Sequence, residues 1–214
     1  MVEQKMTKTI FWNVDTQYDF MKPDGKLSVP GATAIEGNLE YLTKIAAARG
    51  ITVVNTADYH IPKSKELSDN PDFKITFPPH CMAGTEGAEF IEATKPAKPY
   101  VIDWRDTSFD PAQVQWHLNI VLYKDNFDVF NAIGAPHTEK VLNVLNPRKA
   151  IVYGVATNVC VDFAVKGLLQ RGLQVYVPTD AIKELPGLPL EKVLESWKNG
   201  GAQLIRTAEV LKYI

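Results

Sequence analysis

Two cysteines in 214 residues are too few for a disulfide framework, and a chain of this length can build a core without one. Cys81 and Cys160 are therefore expected as thiols in a reducing cytoplasm. An excess of either charge is also missing. Lys and Arg number 23 against 25 Asp and Glu, and a net charge of −2 gives no general hold on nucleic acid or an anionic membrane surface. No apolar run approaches the length of a membrane span. The opening stretch, Met1 to Lys8, is polar and mixed in charge, unlike a signal peptide. With no repeat, low-complexity tract or linker, residues 1–214 are expected to form a single domain. The remaining composition, 45% apolar and 22% charged, is that of an ordinary soluble globular protein.

Apolar, β-branched runs mark the strands: Thr9 to Val14, Ile51 to Thr56, Pro99 to Ile102, Asn119 to Tyr123, Lys149 to Tyr153, Leu173 to Val177 and Ala202 to Ile205. Helical patterns lie between many of them. Ala32 to Arg49 carries Ile35, Leu39, Leu42 and Ile45 at spacings of three and four, and Gly50 ends it. His137 to Leu145, Val161 to Gln170 and Pro189 to Trp197 repeat the theme. Strands alternating with helices predict a doubly wound, three-layer α/β sandwich around a mostly parallel central sheet of about six strands. The segment 61–87 fits no element. It is rich in Pro, Lys, Asp and Ser, and a long irregular segment in a compact domain is usually functional. It is expected to fold over the carboxyl ends of the strands.

Ligands of open α/β sheets bind at those ends. The first strand delivers Asp15 there, the second Asp58 and His60, the one ending at Tyr123 delivers Lys124, and the Leu173 to Val177 strand leads to Asp180. The strand ending at Tyr153 leads through Gly154-Val155-Ala156-Thr157-Asn158-Val159 to Cys160 at a helix start. Free N–H groups and the helix dipole at such a start are expected to lower the thiol pKa and to supply oxyanion donors. Taken singly, each residue has a plainer reading: Asp15 as a turn cap, Lys124 as a surface charge, Cys160 as a buried small hydrophobe.

Together these residues resemble the isochorismatase-like cysteine hydrolases, and within them the nicotinamidase branch. The resemblance runs from about Ile10 to Ile205. It rests on Asp15-Thr16-Gln17-Tyr18-Asp19-Phe20, Asp58-Tyr59-His60, Phe77-Pro78-Pro79-His80-Cys81 with Gly84-Thr85-Glu86-Gly87-Ala88-Glu89, Lys124-Asp125-Asn126-Phe127, and Gly154 to Cys160. It implies Cys160 as nucleophile, Asp15 as general base and Lys124 as third member of the triad. It further implies a cis Val155–Ala156 peptide, an oxyanion hole from the N–H groups of Ala156 and Cys160, and Asp58, His60 and His80 as ligands of one divalent transition metal, Zn, Fe or Mn. Gln17, Phe20, Phe77, Phe127 and Val155 are implied around the substrate. The implied reaction is hydrolysis of a small aromatic carboxamide, nicotinamide first, through a thioester, in a homo-oligomer (dimer or tetramer).

Three positions depart from that branch. Val159 and Asn158 stand where an aromatic residue or histidine and an aspartate are common, and Phe77 replaces a tryptophan. These departures point toward other amides or ureides as the alternative. An enol-ether hydrolase has no need of the thiol, and a non-catalytic member has no need of the set. Cys81 reads as a packed thiol, His117 and His137 as structural, Asp180 as a brace behind the site, and Asp103 to Asp106 as an oligomer contact or lid.

Overall fold

The protein is described by a computed structural model over residues 9–187 and 189–214. The polar stretch 1–8 lies outside the described residues. The strands are β1 (Thr9–Val14), β2 (Val53–Asp58), β3 (Tyr100–Ile102), β4 (Asn119–Lys124), β5 (Lys149–Val155), β6 (Gln174–Pro178), β7 (Ile182–Lys183) and β8 (Gln203–Ile205). The helices are α1 (Tyr18–Met21), α2 (Glu36–Arg49), α3 (Ala135–Leu145), α4 (Cys160–Gln170) and α5 (Leu190–Asn199). None of them is long and apolar enough to cross a membrane.

The sheet is wholly parallel, with strands in the order β3-β4-β2-β1-β5-β6-β8 and β7 added against β5. Its eight strands exceed the expected six or so: all seven runs read from the sequence join it, and β7, two residues long, carries no readable pattern. Every residue of β1 and β2 is buried, as central strands of a parallel sheet covered on both faces require, including the polar Asn13, Asn55, Thr56 and Asp58. α4 turns Val161, Ala164, Val165 and Leu168 toward the sheet, and Val161, Val165 and Leu168 each contribute about 1.5–3 kcal/mol by full burial. The expected helix from Ala32 opens with a 3₁₀ turn, Ala32–Ile35, before α2, and Gly50 closes α2 at φ 62°.

From β1 the chain passes to β2, then to β3 at the edge, then to β4 between them, and returns to β5 on the other side of β1. This reversal opens the crevice at the carboxyl ends of β1, β2, β4 and β5. Those four strands are the ones that deliver Asp15, Asp58, Lys124 and the Cys160 turn. The register sets Asp58 directly opposite Lys124.

Candidate active site

Lys124 is the hub of the crevice. Its side chain is buried at the end of β4, with Nζ 2.9 Å from Asp15 Oδ2, in contact with Asp58 Oδ1, and 3.9 Å from Cys160 Sγ. Burial opposes its charge, but Asp15 and Asp58 hold the ammonium well above its ordinary pKa, so it is a fixed cation. Asp15 sits just past β1 at φ 49°, a left-handed conformation that is unusual for a non-glycine residue. Its Oδ1 accepts the Thr56 hydroxyl at 2.7 Å, and an oxygen of its carboxylate lies within 4.8 Å of Cys160 Sγ. Burial pushes the Asp15 pKa up against the pull of Lys124, which makes it a stronger base toward that thiol.

Cys160 opens α4, as expected. The expected lowering of its pKa does not hold. Burial pushes the thiol well above its usual value and Lys124 only partly offsets this, because a helix start inside the protein interior loses more to desolvation than the dipole returns. The proton therefore needs a recipient, and the Asp15 carboxylate, within 4.8 Å of the sulfur, is the nearby base.

The turn before Cys160 is set by Gly154, at φ 122°. A Cβ there would stand 2.1 Å from the Val14 carbonyl oxygen, so only glycine lets β5 leave the sheet at this point. The Val155–Ala156 peptide that follows is cis. The Ala156 carbonyl accepts from the N–H groups of Val159 and Val161, and Thr157 N–H donates to Lys183 O in β7. The N–H groups of Ala156 and Cys160 donate to no other group among the described residues, which leaves both available to a ligand. Asn158 makes a two-way pair with the Leu185 backbone, at 2.7 and 3.0 Å. It braces the loop behind the turn.

The second half of the site begins on the far oxygen of Asp58. Asp58 Oδ2 lies 3.9 Å from His60 Nε2 and 3.6 Å from His80 Nε2. Glu66, which the sequence reading did not single out, joins them with Oε1 3.8 Å from His80 Nε2. Donor atoms of all four residues lie within 4.8 Å of one another, and all four side chains are buried. His80 Nδ1 is 2.7 Å from the Pro78 carbonyl, which can only accept, so Nδ1 carries a proton and, in the neutral ring, Nε2 turns its lone pair to the carboxylates. Both ring nitrogens of His60, and Nε2 of His80, lack hydrogen-bond partners. Lone pairs and carboxylates that converge in a buried space repel unless a cation lies among them. Two imidazoles with one or two carboxylates suit Zn²⁺, Fe²⁺ or Mn²⁺, so the residues fit a divalent metal. Burial lowers the His60 pKa to about 4 and raises Glu66 to about 9. For Asp58 burial opposes ionisation, but Lys124 overcomes it and holds the carboxyl below its usual range.

The loop 61–87 carries Glu66, Phe77 and His80 into this half. Phe77 N–H donates to Glu66 O, and Glu66 Oε2 accepts Phe127 N–H, both at 2.8 Å. In the Gly84-Thr85-Glu86-Gly87 run, Gly87 abuts the Asp19 carboxylate at a point where a Cβ would stand 2.2 Å from it. That carboxylate holds Cys81 N–H at 2.7 Å. Aromatic rings surround His80: Phe20 at 5.2 Å and Phe77 at 6.3 Å, with Phe127 6.5 Å from Phe77. Val155 is fully buried beside the cis bond. Gln17 is not a free pocket donor. Its amide is spent on the backbone of Asp58, giving and receiving one bond each, and on Ala88 O, so it braces the metal-facing strand end.

The residues set aside fall largely where expected. Cys81 is buried, with a pKa raised by burial, and its Sγ lies 3.6 Å from Gly87 O. Asp180 holds Thr207 through both N–H and hydroxyl. His117 stacks on Tyr100, and His137 donates from Nε2 to Asp106 O.

Comparison with known proteins gives the same frame. The isochorismatase domain family matches residues 9–209. A nicotinamidase/pyrazinamidase of Mycobacterium tuberculosis is 28% identical over 196 residues, covering 90% of this chain and 95% of that protein. Among solved structures, the pyrazinamidase of Pyrococcus horikoshii in complex with zinc superposes with a TM-score of 0.70 at 24% identity, covering 93% of this chain and 99% of that one. An isochorismatase family protein from Desulfovibrio vulgaris gives 0.74 at 20% identity, over 96% and 97%.

Proposed function

The chain belongs to the isochorismatase family, and we propose that within it the protein is a metal-dependent cysteine amidohydrolase that converts a small aromatic carboxamide, nicotinamide first, to the acid and ammonia. One observation carries the reading. A single buried carboxylate, Asp58, faces the Lys124–Asp15–Cys160 cluster with one oxygen and the His60–His80–Glu66 cluster with the other. A nucleophile and a metal site built on one residue are held at a fixed separation.

The chemistry follows from the contacts. Asp15 takes the Cys160 proton as sulfur attacks the amide carbon, and Lys124 stabilises the thiolate and keeps Asp15 in place. The carbonyl oxygen becomes an oxyanion held by Ala156 N–H and Cys160 N–H. The C–N bond breaks as Asp15 returns the proton to the leaving amine, which departs as ammonia and leaves a thioester on Cys160. Water, deprotonated by Asp15, then cleaves the thioester and restores the thiol. Asp58, His60 and His80 would hold the metal, with Glu66 within reach as a fourth donor. When bound, that metal supplies a Lewis-acid anchor for a ring nitrogen. Phe20, Phe77 and Phe127 supply the aromatic walls.

Ammonia release from nicotinamide, picolinamide, isonicotinamide, benzamide and ureido acids tests this reading. A nucleophile at one end and an anchor at the other make a ruler, so nicotinamide, with its nitrogen meta to the carboxamide, is expected to have the highest kcat/KM. Comparable rates for benzamide would refute the anchor. Activity confined to ureido acids would move the protein to the ureide branch, and activity on none of these would remove the amidase reading.

A further inference from the structure

The Asp103–Asp106 strap, whose charged and aromatic residues suggest an oligomer contact or lid, reaches the candidate metal site through Tyr59. Tyr59 stands between two of the metal-facing residues, Asp58 and His60. Each backbone polar group of this tripeptide has a partner. Asp58 N–H and C=O are engaged by Gln17, and Tyr59 N–H donates to Lys124 O at 2.9 Å. His60 N–H donates to Cys81 O, and His60 O accepts Ala83 N–H. The remaining group, Tyr59 C=O, accepts Trp104 Nε1–H at 2.9 Å. The Tyr59 ring is fixed as well. It stacks on Tyr123 at 3.9 Å and 10°, its hydroxyl accepts Gly84 N–H at 3.1 Å, and the Arg105 guanidinium lies over it at 5.1 Å from the centroid.

The strap itself is anchored. Arg105 pairs with Asp103, Asp106 O accepts from His137 at the start of α3, and Trp104 Cβ packs against Gly134, where an added Cβ would lie 3.0 Å away. Trp104 and Arg105 together grip one residue from a rigid base.

We propose that Trp104 is a positioning residue for the metal-facing segment, acting through the Tyr59 carbonyl. This rests on the metal reading given above. The Tyr59 C=O belongs to the peptide plane from which His60 hangs, so a hydrogen bond on that oxygen fixes the plane and with it the aim of the His60 imidazole. Without the bond the plane can rock, and a ligand a few tenths of an ångström off its aim binds metal less well. Partners that orient metal ligands typically contribute about 10–100-fold in affinity.

The test is Co²⁺ binding to the metal-free full chain, by chelator competition and by the visible d–d absorption band, in wild type, Trp104→Phe, Arg105→Leu and Trp116→Phe. Trp104→Phe keeps an aromatic ring and removes the N–H. It is expected to weaken Co²⁺ by about 10-fold and to change the intensity of the d–d band, at the lower end of the effect of removing an orienting partner. Arg105→Leu, at an exposed side chain, is expected to weaken binding by about 2–5-fold, the worth of an exposed cation–π contact. Trp116, exposed and remote from the tripeptide, is expected to be neutral on replacement. Wild-type affinity and spectrum in Trp104→Phe would overturn the assignment to the strap alone. No Co²⁺ binding by the wild type would overturn the metal reading and the assignment with it. Should circular dichroism show Trp104→Phe to be unfolded, Arg105→Leu decides, and unchanged binding there overturns the proposal.

Discussion

Replacing Lys124 by methionine keeps the length of the side chain and removes the cation at the centre of the site. The magnitude follows from distance. Nζ lies 3.9 Å from Cys160 Sγ, and at an effective dielectric constant of about 20 a full charge pair at that range is worth about 4 kcal/mol. Part of this is returned, because Asp15 and Asp58 lose their counter-ion and one of them protonates. The population of Cys160 thiolate is therefore expected to fall by about 10²–10³-fold at neutral pH, at about 1.4 kcal/mol per factor of ten. The assay is the pseudo-first-order rate of iodoacetamide alkylation, with the modified peptide identified by mass spectrometry and circular dichroism confirming that the variant is folded. Alkylation of Cys160 in folded Lys124→Met within twofold of the wild-type rate would refute the claim that Lys124 stabilises the thiolate.

Three further outcomes are expected. Cys160→Ala and Cys160→Ser abolish turnover while Cys81→Ala does not, because the Cys81 sulfur lies against Gly87 O and the Cys160 sulfur beside Lys124; inactivation by iodoacetamide that tracks labelling of Cys81 would reverse this assignment. Asp15→Asn lowers kcat by about 10²–10⁴-fold, and the Asp15→Asn, Lys124→Met double variant loses little more than either single one; losses that multiply would mean that the two residues serve separate steps. His60→Ala and His80→Ala purify without metal, and Glu66→Gln weakens metal binding by about 10-fold; elemental analysis showing wild-type metal in both histidine variants would remove the site.

The strand ends were legible in the sequence because period and composition fix where a buried parallel strand stops, and topology then brings Asp15, Asp58 and Lys124 together. Cys160 at a helix start was legible for the same reason. Glu66 was not. It sits in the charged run Lys63-Ser64-Lys65-Glu66, where nothing local tells one buried acid from its solvated neighbours, and its burial depends on a tertiary bond to Phe127 N–H. The direction of the Cys160 shift was misread because a helix start is visible in sequence and the depth at which it is buried is not. Gln17 was placed in the pocket by its neighbourhood, whereas its amide is consumed by the strand end beside it. The Trp104–Arg105 pair was visible as an odd cluster, but its contact with Tyr59 links segments that lie 45 residues apart.

The central claim is that an amide is cleaved through a covalent bond to Cys160. Acid quenching of the enzyme during turnover of nicotinamide, followed by peptide mass spectrometry, tests it most directly. The account predicts a nicotinoyl thioester on the Cys160 peptide, absent from Cys160→Ser. Product formation at the wild-type rate with no acyl group on that peptide, or with the group on another residue, would contradict it.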